Sequence, residues 1–344
     1  MMKVKVAAVQ PEAHWGEEEW RNAERALKYV DEAAATGAKL ITFSEGYPGP
    51  SHGPLDSGGR LSCRPMDAMR DKAREHRVYI AASDLEPNPA IPETYFLTLK
   101  LIAPSGQILA NYRRVQPDHQ HLNAYLHGGR RHVLPGEELM VVPTELGNIG
   151  LLICSELFCP ELARIEMLMG AQIIIAPVNG QHSRTRPRLS ETWRCVARAR
   201  AAENLLYVVC TQNIFQSGAQ GVGIIAGPEE AIAVSPDPGV IVGELDLERI
   251  AWYRTRYYNP EFFVPPDDER FITRCRPGQI HDRRPELYGR LAQPQEDAFD
   301  YHYSRRGLEA WQEEFEKVKR YALPRLSQAP EAVASQPPMP QRPR

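Results

Sequence analysis

Cysteine is scarce in this chain, and its six thiols are scattered. They are Cys63, Cys154, Cys159, Cys195, Cys210 and Cys275 in a chain of 344 residues, with no Cys-x-x-Cys pair among them. This spacing suggests neither a disulfide scaffold nor a zinc ribbon. We therefore expect separate thiols, most of them buried, with Cys159, Cys195 and Cys210 as small core residues.

Long apolar runs and an excess of charge of either sign are also absent. No stretch of about 18 apolar residues occurs, and the apolar part of the N-terminal segment is too short for a secretory signal. The 41 basic residues nearly balance the 44 acidic ones, for a formal net charge of −3. These features predict a cytoplasmic protein and argue against nucleic acid and membranes as partners.

Short apolar strands alternate with amphipathic helices along most of the chain. Strands are predicted for VKVAAVQP, LITFSE, VYIAASD, YFLTLKLIAP and QILANYRR, and then for MVVPT, IGLLICSE, AQIIIAP, LLYVVCTQN, VGIIAG, AIAVS and VIVGELD. Helices are predicted in EEEWRNAERALKYVDEAAATGAK, PMDAMRDKAREH, PELARIEMLMG and RLSETWRCVARARAAEN. The alternation predicts an α/β fold with two similar halves, which form either two sheets or one long sheet.

The chain changes in character towards its C-terminal end. Residues 1–290 contain the predicted α/β domain, residues 291–325 form an extension, and the proline-rich residues 326–344 predict a disordered tail. The extension contains a predicted amphipathic helix with Leu308, Trp311, Phe315, Val318 and Ala322 on one face. This helix needs an apolar surface to cover, in its own domain or on a second subunit.

Two polar side chains stand at predicted strand ends, where α/β sheets bind ligands. Cys154 follows the apolar segment IGLLI and precedes a turn and a helix that starts near Pro160. It is a candidate nucleophile, or else a small core residue. Glu45 ends the strand LITFSE before a Gly/Pro turn. Partial burial there makes a carboxylate a candidate base, whereas full exposure makes it an ordinary turn residue.

Two polar segments contain clusters of histidine or arginine. The histidines are His119, His121, His127 and His132, and the arginines are Arg184, Arg186 and Arg188. The histidines allow either a metal site or, as we favour, solvated or substrate-contacting side chains. The arginines either bind an anionic group of a substrate or are solvated.

In their order along the chain, these segments resemble the motifs of the nitrilase superfamily, the carbon–nitrogen hydrolases. VKVAAVQP resembles the first strand of that family, FSEGYPG its glutamate motif, NYRR its lysine motif and GLLICSELFCPE its cysteine motif. APVNGQ, RARAAENLLYVVCTQN and DRRPELYG are further matches, so the resemblance spans residues 4–290. Four motifs in the expected order are much more specific than any one of them.

The resemblance implies an α-β-β-α sandwich that assembles as a homodimer or a higher homo-oligomer and uses no cofactor and no metal. It makes Cys154 the nucleophile, Glu45 the base and the backbone N–H of Ser155 a donor to the oxyanion. The implied substrate-binding residues are Tyr47, Ser155, Glu156 and Asn179. The implied reaction proceeds through a thioester intermediate.

Two positions depart from the family pattern. The lysine motif of the family ends in an essential lysine, whereas NYRR puts Arg114 there, and no lysine occurs between Lys100 and Lys317. Arginine keeps the positive charge but does not exchange protons near neutral pH. Either the charge suffices for catalysis, or hydrolysis has been lost. The second glutamate of the family is also missing, with Gly129 at the nearest spacing.

The motifs also bear on the substrate. The Pro-Glu pair after the cysteine motif and the DRRPELYG segment are similar to amidase and carbamoylase branches, and true nitrilases usually have tryptophan where this chain has Ser155. The expected substrate is therefore a small amide or N-carbamoyl compound. The alternatives are hydrolysis of a small nitrile and a binding role for a hydrolase that has lost its activity.

Overall fold

The part of the chain that the structure describes folds into two β-sheets covered by helices. The structure is a computed structural model, and it describes residues 3–14, 18–50, 64–90, 94–117, 132–179, 187–254, 278 and 280–294.

The first sheet combines the N-terminal strands with one late strand. Its members are β1 (Lys3–Gln10), β2 (Leu40–Thr42), β3 (Tyr79–Pro87), β4 (Thr94–Ile102), β5 (Ile108–Arg113), β6 (His132–Val133) and β13 (Gly239–Asp246). Their order is β13-β1-β2-β3-β4-β5, with β6 paired to β4. Strands β1, β2 and β3 are parallel, and β13 and β4 extend them antiparallel on either side.

The second sheet repeats this plan with the next six strands. They are β7 (Val141–Thr144), β8 (Gly147–Leu151), β9 (Ile173–Ile175), β10 (Tyr207–Cys210), β11 (Ile224–Ala226) and β12 (Ala231–Val234). Their order is β12-β11-β10-β9-β8-β7, and β8, β9 and β10 are the parallel centre. The two halves of the chain therefore form two sheets and not one long one.

Helices cover the outer face of each sheet. They are α1 (Arg21–Ala35) and α2 (Pro65–His76) on the first sheet, α3 (Pro160–Leu168) and α4 (Pro187–Asn204) on the second, and α5 (Leu247–Tyr253) after β13. Side chains of β1 alternate, with Val6 and Ala8 packed between the sheets and Ala7 and Val9 packed towards α1. A third apolar core joins the second sheet to α3 and α4. These layers confirm the predicted α-β-β-α sandwich.

Some details differ from the sequence prediction. Strand β2 ends at Thr42, so the residues before Glu45 leave the ladder earlier than predicted. Strand β6, helix α5 and the 3-10 segment Pro285–Ala292 were not predicted. The predicted helix around 308–322 and the tail 326–344 lie outside the described residues, and the domain boundary at residue 290 remains a prediction. None of the helices in the described ranges is long and apolar enough to cross a lipid bilayer.

A buried carboxyl group lies beneath β8, the strand that leads to the cysteine motif. Glu166 of α3 is 0% exposed, and its Oε1 accepts a hydrogen bond from the backbone N–H of Leu151 at 3.0 Å. A methyl group at Gly150 would overlap its Oε2, so the glycine makes room for the carboxyl group. Burial raises the pKa of Glu166 well above its usual range, and the negative charge of Glu156 adds to the shift. Burial therefore favours the protonated form of Glu166 in the folded protein.

This proton makes the stability of the protein depend on pH. The folded state holds this proton more tightly than the unfolded chain does. The stability that the protonated Glu166 contributes is therefore fully present below about pH 4 and is lost as the pH rises through the raised pKa. Urea unfolding is measured from pH 5 to 9. Over this range the free energy of unfolding of Glu166→Gln, relative to that of the native protein, should rise by up to about 1.4 kcal/mol per pH unit. Glu161→Gln, at an exposed position of the same helix, is the control. A difference that stays constant with pH would contradict the prediction.

Candidate active site

Cys154 lies on a sharp turn after β8. The strand ends at Leu151, and Cys154–Phe158 form a 3-10 turn, called here the cysteine turn, before α3 begins at Pro160. Cys154 is half-buried and has a φ of +55°, a left-handed conformation that strains a residue with a side chain. Its backbone N–H donates to the carbonyl oxygen of Pro177 at 2.8 Å. The strained turn places the thiol at the edge of the sheet where the parallel strands end.

The Glu156 carboxylate of the cysteine turn is fully buried and binds the segment that follows β5. Its Oε1 accepts hydrogen bonds from the backbone N–H groups of Val115 at 2.7 Å and Gln116 at 2.8 Å. Its Oε2 accepts one from the N–H of Ile153 at 2.7 Å, and the Tyr112 hydroxyl donates to both oxygens at 2.9 Å. The carboxylate therefore joins two of the predicted motifs through protein donors.

This environment differs from the expected one, in which Glu156 binds substrate. The side chain is 0% exposed, and protein groups donate to both of its oxygens. Burial raises the pKa of Glu156, while the charge of Arg114 and the hydrogen bonds oppose that shift. In this structure Glu156 positions the cysteine turn against the Arg114 segment. Sequence alone did not show this, because the direction of the side chain depends on the turn.

Arg114, directly after β5, is a buried cation at the site. Its side chain is 3% exposed, and its guanidinium donates to the hydroxyl oxygen of Ser155, next to Cys154. It also lies 3.4 Å from Oε1 of Glu45 and donates to the carbonyl oxygen of Gln116 at 3.2 Å. The planar, forked guanidinium thus contacts the glutamate motif and the cysteine motif together.

Glu45 is buried beside this cation. The residue is 5% exposed, which excludes the alternative of a solvated turn residue. Its carbonyl oxygen accepts a hydrogen bond from Nδ2 of Asn213 at 2.7 Å, and the N–H of Gly46 donates to Oγ of Ser83 at 2.9 Å. The backbone of the glutamate motif is therefore fixed by side chains on both sides of the carboxylate.

Asn213 is a site residue that the sequence analysis missed. It follows β10, is 4% exposed, and donates through Nδ2 to Oδ1 of Asn179 at 3.3 Å. Asn179 follows β9 and is half-buried. A polar residue three positions after the end of an apolar strand was the available signal, and Asn213 shares it with Glu45 and Cys154.

Lysine does not replace Arg114 at the site within the described ranges. Lys100 of β4 is the nearest earlier lysine in the sequence, and its ammonium contacts the carboxylate of Asp84 and Oγ1 of Thr98. Alternate residues of β4, such as Leu99, point into the core between the sheets. Lys100 therefore lies on the outer face of the first sheet.

The comparison with known families agrees with this geometry. The family model described as carbon-nitrogen hydrolase matches residues 5–255. The chain belongs to this family. The match includes the glutamate motif, the NYRR segment with Arg114 and the cysteine motif, which meet at the site.

Several proteins of related sequence are also similar to this carbon–nitrogen hydrolase. A cyanide hydratase from Stereum hirsutum is 32% identical over 189 residues, covering 50% of this chain and 48% of the relative. A cyanide hydratase from Neurospora crassa is 30% identical over 193 residues, covering 51% and 52%. The chloroplastic omega-amidase of Arabidopsis thaliana is 27% identical over 256 residues, covering 68% and 66%. The chain thus spans about half the length of the cyanide hydratases.

Solved structures share the fold. A cysteine-to-alanine mutant of the amidase from Nesterenkonia sp. AN1, in complex with butyramide, has a TM-score of 0.59 at 20% identity, covering 72% of this chain and 93% of the amidase. A glutamate-to-glutamine mutant of this amidase, with the acetamide moiety of fluoroacetamide covalently added at the active-site cysteine, has a TM-score of 0.58 at 20% identity, covering 72% and 92%. The NitFhit protein of C. elegans has a TM-score of 0.62 at 21% identity, covering 74% and 63%.

Tyr47, an expected substrate-binding residue of this hydrolase, lies in the layer between the first sheet and its helices. Its side chain is 1% exposed and stacks on Phe43, with ring centroids 5.6 Å apart. Both rings belong to the apolar core between the first sheet and its helices. Burial raises the pKa of the Tyr47 hydroxyl. The turn after β2 therefore directs Tyr47 to the helical layer, and its contact with substrate stays a prediction.

The other described cysteines differ from Cys154 and from one another. Cys210 is buried, and burial raises the pKa of its thiol to about 12. Cys159 is half-buried, and burial raises the pKa of its thiol. Cys195 is exposed on α4, so the prediction of a core residue is wrong there, because helix α4 turns this position outwards. Cys63 and Cys275 lie outside the described residues.

The predicted histidine and arginine clusters fall outside the described side chains. In the ranges that the structure covers, one group of potential metal ligands lies together, formed by Asp31, Glu75 and His76 on α1 and α2. The ammonium of Lys72 already donates to Oδ1 of Asp31 at 2.6 Å. This group is a surface cluster of ion pairs on the outer helices.

Proposed function

We propose that this carbon–nitrogen hydrolase cleaves a non-peptide C–N bond in a small amide or N-carbamoyl compound through a thioester on Cys154. The observation that supports this most directly is the buried contact of Arg114 with Glu45 and Ser155. It brings together, from three separate strand ends, a base, a cation and the turn that holds a thiol. General base, oxyanion stabilisation and nucleophile are the three functions that acyl transfer needs.

The proposed reaction begins when Glu45 takes the proton of the Cys154 thiol and the sulfur forms a bond to the carbonyl carbon of the substrate. The carbonyl oxygen becomes an oxyanion that Arg114 and the N–H of Ser155 stabilise. The C–N bond then breaks, and the amine or ammonia leaves with the proton from Glu45. Water next attacks the thioester, Glu45 accepts a proton from it, and the acid product departs with the thiol restored.

Arginine suits only part of this cycle. Its guanidinium keeps its charge near neutral pH, so it stabilises negative charge but supplies no proton. All proton transfers in the proposed reaction therefore pass through Glu45. We infer that Tyr47 and Glu156 have no direct contact with substrate, and that Asn179 and Ser155 are the substrate-binding candidates.

Relatives support two reaction types. The Nesterenkonia amidase and the Arabidopsis omega-amidase favour amides, and the Pro-Glu pair of the cysteine motif agrees with them. The cyanide hydratases favour a nitrile as a second candidate substrate class. With a nitrile, the same thiolate attacks the nitrile carbon, and water then gives either an amide or an acid and ammonia.

Covalent labelling with fluoroacetamide tests the proposal. A thiolate displaces fluoride, which is a poor leaving group, so only an activated thiol should react quickly. We expect one acetamide group on the intact protein, mapped by peptide mass to Cys154 and not to the exposed Cys195. Turnover of small amides, N-carbamoyl compounds and nitriles, followed by ammonia release and by product mass, then assigns the class. Labelling without any turnover would favour a binding protein that has lost hydrolysis.

Replacement of the proposed base gives a separate prediction. Glu45→Gln keeps the size of the side chain and still accepts a hydrogen bond from Arg114, but it cannot take a proton. Turnover should fall by about 10²- to 10⁴-fold, and fluoroacetamide should label Cys154 more slowly near neutral pH. Glu86→Gln is the matched control, because Glu86 contacts Arg113 on the outer face of the sheet. Unchanged labelling kinetics in Glu45→Gln would show that another group is the base.

We further propose that the protein is a homodimer or a higher homo-oligomer. Ile165, Leu168 and Met169 lie on one face of α3 and its C-terminal end and are 43%, 44% and 48% exposed. Phe158, at the end of the cysteine turn, is 40% exposed. These exposed apolar side chains are of the type that subunit interfaces cover.

A further inference from the structure

The segment after β10 crosses from one sheet to the other beside the site. At its start, the N–H of Val178 donates to the carbonyl oxygen of Thr211 at 2.8 Å, which continues the β9–β10 pairing of the second sheet. At its end, the N–H of Ile214 donates to the carbonyl oxygen of Pro11 at 2.9 Å, and the N–H of Ala13 donates to that of Ile214 at 2.9 Å. These bonds extend β1 of the first sheet. The crossing segment is thus fixed to both sheets.

Asn213 is the residue in the middle of this crossing, and its amide group joins three other residues. Its Oδ1 accepts a hydrogen bond from Oγ of Ser44 at 2.5 Å. Its Nδ2 donates to the carbonyl oxygen of Glu45 at 2.7 Å and to Oδ1 of Asn179 at 3.3 Å. Ser44 and Glu45 follow β2 in the first sheet, whereas Asn179 follows β9 in the second. One buried amide therefore connects the glutamate motif to the opposite sheet.

We propose that Asn213 is a positioning residue for the hydrolysis proposed above, on which this inference rests. It fixes the backbone from which the Glu45 carboxylate reaches Arg114. The distance between these two groups is 3.4 Å, so a small further separation would break the hydrogen bond. An error of about 1 Å in the placement of a reacting group costs about a hundredfold in rate. The side-chain hydrogen bonds of Asn213 described above go to Ser44, Glu45 and Asn179, so its proposed effect on the reaction passes through Glu45.

The same amide also sets the orientation of Asn179. Because Oδ1 of Asn179 accepts from Asn213, the Nδ2 group of Asn179 is turned away from Asn213. Asn179 is then fixed as a hydrogen-bond donor on its other side, where it suits a carbonyl or carboxylate oxygen of a substrate. Asn213 thus links the position of the base to the orientation of a substrate-binding candidate.

The substitution Asn213→Asp tests this role with little change in volume. The carboxylate still accepts from Ser44 but no longer donates to Glu45 or Asn179. The matched control is Asn204→Asp on α4, where a fully buried amide donates through Nδ2 to the carbonyl oxygen of Arg200 at 3.0 Å. Ser44→Ala removes only the bond to Oδ1 of Asn213 and serves as a milder second variant. Each protein is assayed for kcat and KM on an amide, for the rate of fluoroacetamide labelling at Cys154, and for its melting temperature.

Asn213→Asp should lower kcat and the labelling rate by about a hundredfold, with a loss of melting temperature no greater than that of Asn204→Asp. Ser44→Ala should change both rates in the same direction by less, and Asn204→Asp should leave both rates unchanged. If both Asn→Asp variants lose activity only in proportion to their stability, or if the Asn213→Asp rates equal those of the native protein, the inference is overturned. If the native protein labels at Cys154 but turns over no amide, the proposed function fails, and the labelling rates alone decide the role of Asn213.

Discussion

Replacing Cys154 with alanine is expected to abolish turnover of every amide, N-carbamoyl compound or nitrile that the native protein processes. Loss of a covalent nucleophile costs about a millionfold in kcat in a well-studied serine hydrolase. The proposed reaction has no second group that can form the thioester. The expected rate for Cys154→Ala is therefore about a millionfold below that of the native protein.

The same substitution should leave the fold nearly intact. Cys154 is half-buried, and its φ of +55° strains alanine about as much as cysteine, so neither packing nor backbone energy changes greatly. Cys159→Ala is the control, since Cys159 is another half-buried thiol five residues later in the chain. Purified Cys154→Ala with substantial activity, or Cys159→Ala without any, would refute the assignment of the nucleophile.

The second large effect is expected at Arg114. Removing one donor to an oxyanion costs about 2.7–4 kcal/mol, or about a hundred- to a thousandfold in kcat. Arg114→Ala should lose at least this much, because it also leaves the Glu45 carboxylate buried without the cation at 3.4 Å. A buried carboxylate that loses its cation favours the protonated form, which cannot act as a base.

Arg114→Lys restores the residue that the family usually has, but at a site whose partners are arranged around a forked guanidinium group. One ammonium cannot reproduce the flat, simultaneous contacts of the guanidinium with Ser155, Glu45 and the carbonyl oxygen of Gln116. Activity should therefore rank arginine, then lysine, then alanine. The neighbouring Arg113→Ala is the control, because Arg113 is exposed and contacts Glu86 on the outer face.

Steady-state rates on one substrate decide between the outcomes. If Arg114→Ala matches the native protein on a substrate that Cys154→Ala cannot process, Arg114 is not the replacement for the family lysine. If no substrate is turned over until lysine is introduced, the native protein is a hydrolase that has lost its activity and retains a binding role. Both results are distinct from the ranking that the geometry supports.

The strands and the polar residues at their ends could be predicted from the sequence. The signals for them, the spacing of apolar residues and the residues typical of turns, are local properties of the chain. Sequence reasoning placed Cys154 correctly after β8, and Glu45 correctly after β2. It did not show which way a side chain leaves an irregular turn. For this reason Tyr47 was expected at the substrate but packs against the helices, and Glu156 was expected there but is buried beneath the cysteine turn.

Asn213 illustrates a second reason why sequence was insufficient. Its hydrogen-bond partners Ser44 and Glu45 precede it by 169 and 168 residues. No local pattern indicates that the chain crosses between the sheets at this residue. The role of such a residue is a property of the tertiary structure, and it becomes visible only when both sheets are in place.

The position of β13 has a consequence for how the protein is made. Strand β13 comes after the whole second sheet, yet it pairs with β1 along its full length, from Lys3 with Asp246 to Gln10 with Gly239. While the ribosome is still producing the second sheet, β1 therefore exposes the backbone groups that β13 will later bind, and an exposed strand edge of this kind invites pairing with other chains. The first sheet becomes complete only when β13 has left the ribosome.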